Sequence, residues 1–152
     1  KVNRLAVHPS GRFVGSTSWD CTWRLWDLET SRCVLTQEGH SRAVYPIAFQ
    51  CDGSLAVTAG NDDVGRVWDL RTGKSIVLLQ GHIKEIHAAA FHPNGYQLVT
   101  GADDHTIRVW DLRKKKAVYV IPAHTNIIAD LKFQPGEGNY MVSACYDQTL
   151  KI

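Results

Sequence analysis

Short runs rich in apolar residues follow one another along the chain, and residues that favour turns separate them. Between residues 80 and 121 this pattern predicts four strands, at 86–91, 97–101, 106–110 and 117–121. The turn Pro93-Asn94-Gly95 separates the first two strands, and Asp103-Asp104-His105 separates the second from the third. Strands of this length joined by short turns predict a four-stranded antiparallel sheet.

The turn sequences support this prediction. Glycine ends three turns at matching places in the chain, Pro9-Ser10-Gly11, Cys51-Asp52-Gly53 and Pro93-Asn94-Gly95. A glycine there supplies the left-handed residue that closes a hairpin after a type I turn. Pro46 lies in a predicted first strand and removes a backbone donor, so we expect that strand to form an edge of its sheet.

Three sets of residues repeat in phase, at an interval of 42 residues. They are Trp26-Asp27, Trp68-Asp69 and Trp110-Asp111; Gly39-His40, Gly81-His82 and Ala123-His124; and Asp20, Asp62 and Asp104, with Asp147 following after 43. This period with Gly-His and Trp-Asp pairs resembles the WD-repeat β-propeller family, in which each repeat forms a four-stranded blade. The resemblance implies an all-β fold of about four antiparallel blades, part of a ring of seven, with units at 1–37, 38–79, 80–121 and an incomplete 122–152.

Composition sets limits on function. The chain is 44% hydrophobic and 21% charged, as globular domains are, and its net charge of +2 is too small to predict a nucleic-acid or membrane surface. The cysteines form no Cys-x-x-Cys pair, which argues against a zinc ribbon or redox dithiol and favours a reducing compartment. No apolar run approaches the roughly 20 residues of a membrane span. Because the chain begins at Lys1, we expect it to be part of a longer protein.

The repeats carry the residue types of a hydrolase triad together with a tryptophan. The members are Ser16, Asp20 and Trp26; His40, Thr58, Asp62 and Trp68; His82, Thr100, Asp104 and Trp110; and His124, Ser143 and Asp147. An enzyme needs one active site, whereas this set recurs with every unit, so we interpret it as structural. The indole N–H can donate to the hydroxyl, the hydroxyl to the imidazole and the imidazole to the carboxylate. We therefore expect Asp104→Ala or Trp110→Ala to destabilise the fold without abolishing a chemical step.

Other candidate sites are weaker. His82, His87 and His92 are evenly spaced but spread along a strand, so they cannot converge on one metal ion. The basic run 113–116 could contact phosphate, but a solvated turn explains it better. Basic residues also recur two positions before each tryptophan position, at Arg24, Arg66, Arg108 and Lys151, as a feature of the repeat. The sequence predicts no catalytic residue, no metal and no cofactor.

The positions that vary between repeats are the candidates for a functional surface. In propellers, the loops that enter each blade share one face with the turns between second and third strands, and such loops carry binding. We name as the rim the variable residues at these places, Trp19, Arg42, Tyr45, Asn61, Lys84, His87, Asp103 and Tyr146. Trp, Tyr and Arg are common interface hot spots, so we expect the rim to bind partners. The alternative, that any one of them is only an exposed side chain, stays open.

Longer stretches resemble one branch of the WD-repeat family. The segments GRVWDLRTGK at 65–74 and IPAH at 121–124 resemble the pre-mRNA-processing factor 4 family, the WD-repeat subunits of the U4/U6 small nuclear ribonucleoprotein. Segments 8–13, 23–28, 38–41, 52–56 and 93–96 carry the same resemblance, which covers essentially the whole chain. Ala123 replaces the usual glycine, as it does in the Pro-Ala-His form of that family.

This resemblance implies a nuclear, non-catalytic scaffold in pre-mRNA splicing. Its implied partners are splicing-factor proteins, among them a pre-mRNA-processing factor 3 type subunit, and U4 and U6 small nuclear RNA at least indirectly. We expect no membrane partner and no small-molecule substrate. A WD-repeat adaptor in another complex, such as a substrate receptor for ubiquitin ligation or a chromatin reader, remains an alternative because it would share the fold and differ only in partners.

Overall fold

The computed structural model describes residues 1–152, all of them in strands, turns or loops. Fifteen strands form four antiparallel sheets, and within each sheet neighbouring strands are consecutive in the sequence. We call these sheets blades 1 to 4. No helix in the structure is long and apolar enough to cross a bilayer.

The strands have the following bounds. Blade 1 contains β1 (Val2–Val7), β2 (Phe13–Ser18), β3 (Trp23–Asp27) and β4 (Arg32–Gln37). Blade 2 contains β5 (Val44–Phe49), β6 (Leu55–Gly60), β7 (Gly65–Asp69) and β8 (Lys74–Leu79). Blade 3 contains β9 (Ile86–Phe91), β10 (Gln97–Ala102), β11 (Thr106–Asp111) and β12 (Lys116–Pro122). Blade 4 contains β13 (Ile128–Phe133), β14 (Met141–Cys145) and β15 (Leu150–Lys151).

The predicted strands of the third unit are confirmed to within one residue at each end. The predicted turns are confirmed as well. Gly11, Gly53 and Gly95 have φ angles of 72°, 77° and 79°, and each donates its N–H to the carbonyl three residues earlier at 2.8–3.0 Å. These angles favour glycine because side chains strain the left-handed region. The first hairpin of blades 1 to 3 therefore closes in one and the same way.

Pro46 lies in β5, which is an edge of blade 2 as the sequence predicts. The pairing of β5 with β6 shifts register between Val44 and Ile47, where the proline has no N–H to donate. The first and second strands of the other three blades also shift register. The missing donor therefore falls in an irregularity that every blade has.

Apolar clusters join each blade to the next. Trp23 and Leu25 of blade 1 pack with Trp68 of blade 2, and similar clusters lie between blades 2 and 3 and between blades 3 and 4. The innermost strands follow one another in space, β1 beside β5, β5 beside β9 and β9 beside β13. Sheets stacked face to face around such a series are the blades of a β-propeller.

Candidate functional site

In blades 2 and 3 the recurring polar residues form continuous hydrogen-bonded sets, which we call the quartets. In blade 3 the Trp110 indole N–H donates to Thr100 Oγ1 at 2.9 Å. His82 Nε2 lies 2.7 Å from the same hydroxyl, and His82 Nδ1 lies 2.8 Å from Asp104 Oδ2. The three corresponding distances in blade 2 are each 2.8 Å and join Trp68, Thr58, His40 and Asp62.

The direction of the hydrogen bonds follows from the donors. Thr100 Oγ1 accepts the indole proton, so its own proton can go only to His82 Nε2. The imidazole must then be neutral, with its proton on Nδ1 and directed to Asp104. Burial lowers the pKa of His82, and this effect exceeds the opposing one of the Asp104 carboxylate. The ring is therefore a neutral link between a hydroxyl and a carboxylate.

The quartet hydroxyls are closed to substrate. Thr58 and Thr100 are fully buried, and the side chains of His40 and His82 are 0% exposed. Each hydroxyl also accepts an indole N–H while it faces the imidazole. A nucleophile needs an open approach and a base within reach of the substrate proton. The geometry therefore supports a structural role.

The quartet aspartates also cap turns, which the sequence analysis missed. Asp104 Oδ1 accepts the backbone N–H of Thr106 at 3.0 Å and its hydroxyl at 2.7 Å. Asp104 Oδ2 accepts the backbone N–H of Ile83 at 3.3 Å. Burial raises the pKa of Asp104, but the hydrogen bonds from Thr106 and His82 together hold it below the usual value. One carboxylate thus joins a turn, a histidine and a loop.

Blades 1 and 4 contain partial quartets. In blade 1 Trp26 Nε1 donates to Ser16 Oγ at 2.8 Å, but Asp20 is exposed and accepts from Thr22 at 2.7 Å instead of from a histidine. In blade 4 the three members present come together, and the distances from His124 are 2.8 Å to Ser143 and 2.9 Å to Asp147. The structure therefore joins all of the predicted network residues except Asp20.

Blade 4 also groups possible metal ligands. His124, Cys145 and Asp147 each place a ligand atom within 4.8 Å of the others. These atoms already pair, because His124 Nδ1 bonds the Asp147 carboxylate and Cys145 Sγ accepts the Asp147 N–H at 3.3 Å. The group is a hydrogen-bonded extension of the quartet.

The rim backbone is fixed by a hydrogen bond that repeats in every blade. Each residue before the repeat aspartate donates its N–H to a carbonyl near the start of the blade, at 2.9–3.0 Å, in Trp19, Asn61, Asp103 and Tyr146. The side chains of Trp19 and Tyr146 are 53% and 66% exposed. Rigid turns thus present two aromatic side chains to solvent.

The remaining rim residues lie close to one another. Tyr45 of blade 2 stacks on His87 of blade 3, with ring centroids 5.2 Å apart and an interplanar angle of 18°. Lys84 Nζ lies 3.5 Å from Asp103, and Arg42 is exposed. The Asn61 Oδ1 atom is buried and has no hydrogen-bond partner. His87 therefore contacts the rim residue Tyr45, whereas the His92 ring contacts Phe133. The two histidines share no site.

A further set of contacts joins blades at the opposite ends of the strands, and the sequence analysis did not find it. His8 Nε2 donates to Gly53 O at 2.9 Å, and Gln50 Nε2 donates to Gly95 O. Positions 8, 50, 92 and 134 are equivalent in the repeat and hold His, Gln, His and Gln. That register was visible in the sequence, but the carbonyl each side chain reaches depends on how the blades stack.

The recurring basic residues lie against the loops that enter the blades. A Cβ atom on Gly81 would lie 2.5 Å from Arg108 Nη1, so the arginine needs the glycine beside it. In blade 4, where Ala123 replaces this glycine, Lys151 replaces the arginine and its Nζ donates to Ala123 O at 2.5 Å. These basic residues therefore make contacts within the repeat.

Comparisons with known proteins agree with this geometry. The sequence profile of the WD domain, G-beta repeat family matches residues 1–27, 31–69, 73–111 and 115–152. The U4/U6 small nuclear ribonucleoprotein PRP4 of Saccharomyces cerevisiae is 51% identical over 39 residues, which are 26% of this chain and 8% of that protein.

Two other relatives match at similar levels. Human Striatin-3 is 35% identical over 65 residues, 40% of this chain and 8% of that protein. The probable E3 ubiquitin ligase complex SCF subunit sconB of Emericella nidulans is 54% identical over 39 residues, 26% of this chain and 6% of that protein. The matched stretches therefore span less than a tenth of each relative.

Proposed function

We propose that this chain, which belongs to the WD domain, G-beta repeat family, acts in pre-mRNA splicing as a scaffold of the U4/U6 particle. Proteins of this family are generally non-catalytic scaffolds for protein interaction. The finer proposal rests on one observation, the 51% identity to a U4/U6 small nuclear ribonucleoprotein subunit over 39 residues. We propose with it a nuclear location and membership of the U4/U6 and U4/U6.U5 particles.

The division between buried and exposed polar groups supports a scaffold. The quartets use their polar atoms within the blades. Trp19, Tyr146, Arg42 and Lys84 are exposed on a backbone that repeated hydrogen bonds hold in place. Exposed aromatic and arginine side chains on rigid turns are the residue types that dominate protein interfaces. We therefore propose the rim as the surface for a splicing-factor protein, with U4 and U6 RNA in the same particle.

A second candidate is a subunit of an SCF-type ubiquitin ligase complex. It rests on the match to the sconB subunit, which has 54% identity over 39 residues. The two candidates share the blades and differ in what the rim binds. Their partners therefore distinguish them.

Affinity purification from nuclear extract, with the tagged full-length protein as bait, tests the first candidate. We expect U4 and U6 RNA and splicing-factor subunits to be enriched over 5S ribosomal RNA. The double variant Trp19→Ala, Tyr146→Ala should lose most of this enrichment because it removes both exposed rim aromatics. Lys114→Ala, in the exposed turn between β11 and β12, is the matched control and should behave as the unchanged protein.

The outcomes are distinct. A folded bait that recovers neither U4 nor U6 RNA nor splicing subunits contradicts the proposal. Recovery of ubiquitin-ligase subunits in their place supports the second candidate. Equal recovery by the rim variant and the unchanged protein would leave the particle assignment intact and exclude these two aromatics as the contact.

A further inference from the structure

His124, Cys145 and Asp147 bring three atoms that can bind a metal together at the end of β14. The imidazole Nδ1, the thiol sulfur and a carboxylate oxygen all lie within 4.8 Å of one another. In a tetrahedral zinc site, bonds of about 2.0–2.3 Å place such atoms roughly 3.3–3.6 Å apart. Side-chain movements of about 1 Å are therefore enough to close the three atoms around one ion.

The sulfur distinguishes blade 4 from the other blades. Cys145 stands two residues before the repeat aspartate, where the other units have Ser18, Gly60 and Ala102. The histidine and the aspartate also pair in blades 2 and 3, at 2.8 Å, without a thiol beside them. The structure of the repeat therefore accounts for the His-Asp pair but does not account for the sulfur.

The turn that carries two of these residues is held by its backbone. The Cys145 N–H donates to Thr149 O, and the Gln148 N–H donates to Cys145 O, each at 3.2 Å. The Asp147 N–H donates to the Cys145 sulfur at 3.3 Å. Cys145 is half-buried, so an ion can reach the sulfur from solvent. The turn thus presents the sulfur and the carboxylate at a fixed separation, above the buried ring of His124.

The surroundings of Ser143 allow Nδ1 of His124 to coordinate an ion. In blade 3 the Thr100 hydroxyl accepts the indole proton and gives its own proton to the histidine, which fixes the imidazole proton on Nδ1. Ser143 Oγ lies 2.8 Å from His124 Nε2, but it has a second acceptor, Lys151 O, at 3.4 Å. It can therefore donate to that carbonyl and accept the Nε2–H. Histidines that bind metals are oriented in this way, because the second ring N–H is donated to a neighbouring acceptor.

We propose that His124, Cys145 and Asp147 bind one Zn²⁺ ion through the imidazole Nδ1, the thiolate and a carboxylate oxygen, with water as the fourth ligand. Thiolate and imidazole ligands favour zinc over magnesium and calcium, which take oxygen ligands. The two anionic ligands balance the charge of the ion. Binding releases the thiol proton to solvent. The ring stays neutral, with its proton on Nε2 in place of Nδ1, and nothing is oxidised or reduced.

The position of the site indicates a structural role for the ion. None of the four cavities in the molecule is lined by any of the three ligands, so there is no space for a substrate beside them. The ion joins the loop that enters blade 4 to the turn at 145–149. The exposed rim residue Tyr146 lies between two of the ligands, so zinc should fix the backbone that presents it. The proposal does not depend on what the rim binds.

A metal titration of the reduced, metal-free full-length protein tests the proposal. Zn²⁺ is added in competition with a chromophoric chelator, and we expect one ion to bind that requires Cys145. Co²⁺ is the spectroscopic probe, because a thiolate ligand gives a near-ultraviolet charge-transfer band and a tetrahedral site gives strong visible bands. Zinc should also slow amide hydrogen exchange at Tyr146, since it restrains the turn on both sides of that residue.

One variant and one control sharpen the test. Cys145→Ala removes the sulfur and gives blade 4 the residue that blade 3 has as Ala102, so the fold should be kept. It should weaken zinc binding more than about a hundredfold, because losing even an outer partner of a zinc ligand weakens binding about 10- to 100-fold. The cobalt charge-transfer band should disappear as well. Cys21→Ala, at the other half-buried cysteine, is the matched control and should bind zinc as the unchanged protein does.

Each result decides the point. Zinc binding of equal strength in the Cys145→Ala protein and the unchanged protein would overturn the proposal. Equal losses in the Cys145→Ala and Cys21→Ala proteins would overturn it too, because the ion would then bind cysteines in general. A cobalt spectrum without the charge-transfer band would exclude the sulfur as a ligand and with it the site. A loss confined to Cys145→Ala, together with slower exchange at Tyr146 only when Cys145 is present, supports the site.

Discussion

One carboxylate in blade 3 joins three parts of the chain. Asp104 accepts hydrogen bonds from the turn residue Thr106, the loop residue Ile83 and the His82 ring. An amide would keep a single acceptor oxygen, and an apolar side chain would keep none. The aspartate is therefore needed for its two oxygens, and its carboxylate has no free lone pair aimed at an open surface.

Asp104→Ala should lower the free energy of unfolding by about 1–3 kcal/mol, because it leaves buried donors without an acceptor. Asp103→Ala, one residue earlier, is the matched control. It removes only an exposed ion pair with Lys84 at 3.5 Å, which contributes about 0–1 kcal/mol. Urea unfolding followed by circular dichroism measures both values. Equal midpoints for the two variants would contradict a structural role for the quartet.

The quartets also predict how stability depends on pH. Burial lowers the pKa of His82 below its ordinary value of 6.5, so below that pH the unfolded chain binds more protons and stability falls. The pKa values of Asp62 and Asp104 are also lowered, against the effect of burial, by hydrogen bonds from His40 and from Thr106 and His82. Their stabilisation is present above the ordinary value of 3.8 and is lost as the pH falls below it.

Melting temperatures measured from pH 8 to pH 3 should therefore fall in two steps, one below about 6.5 and one below about 4. His87, whose pKa burial also lowers, contributes to the first step. His87→Gln should make that step smaller and leave the second unchanged. A melting temperature that rises between pH 7 and pH 5.5 would show that the buried imidazoles are charged in the folded protein.

At the scale of the strand and turn, hydrogen bonds from one blade to the turn of the next set how neighbouring sheets are aligned. Gln50 lies at the end of β5, is 8% exposed and donates to Gly95 O in blade 3. Its Oε1 accepts the Ser54 hydroxyl at 2.8 Å. The side chain thus fixes the first turn of its own blade and that of its neighbour.

Gln50→Leu should destabilise the protein by about 1–3 kcal/mol, since it removes both bonds and leaves a carbonyl unpaired. Gln134→Leu tests the equivalent position of blade 4, where the glutamine is exposed and its side chain makes no hydrogen bond. That variant should change stability by no more than about 0.5 kcal/mol. Similar losses in both variants would mean that the effect comes from the glutamine itself rather than from its contact.

The sequence predicted these elements better than the contacts between them. Apolar runs and glycine turns placed β9 to within one residue, and the phased Trp, His and Asp residues predicted sets that do come together. The bonds from His8 to Gly53 O and from Gln50 to Gly95 O escaped prediction. Both depend on the rotation of one sheet against the next. A repeat period predicts the order of the strands within a unit, but it carries no information about that rotation.

At the scale of the whole molecule, the apolar core lies at the contacts between blades. Val57 and Val67 of blade 2 share a cluster with Leu98 and Trp110 of blade 3. Each sheet is thin, so its inner faces are removed from water only when a neighbour covers them. Neighbouring blades should therefore lose their protection together, as in repeat proteins whose stability depends on nearest-neighbour contacts.

Leu98→Ala tests this coupling, because Leu98 is fully buried between blades 2 and 3. We expect a loss of about 2–5 kcal/mol and faster amide hydrogen exchange in both β6 and β10, whose buried strands should otherwise exchange slowly. Leu5→Ala, at a side chain that is 66% exposed in β1, should change neither. Exchange that quickens in blade 3 alone would show that each sheet opens by itself, and the inter-blade clusters would then contribute little to the stability of the propeller.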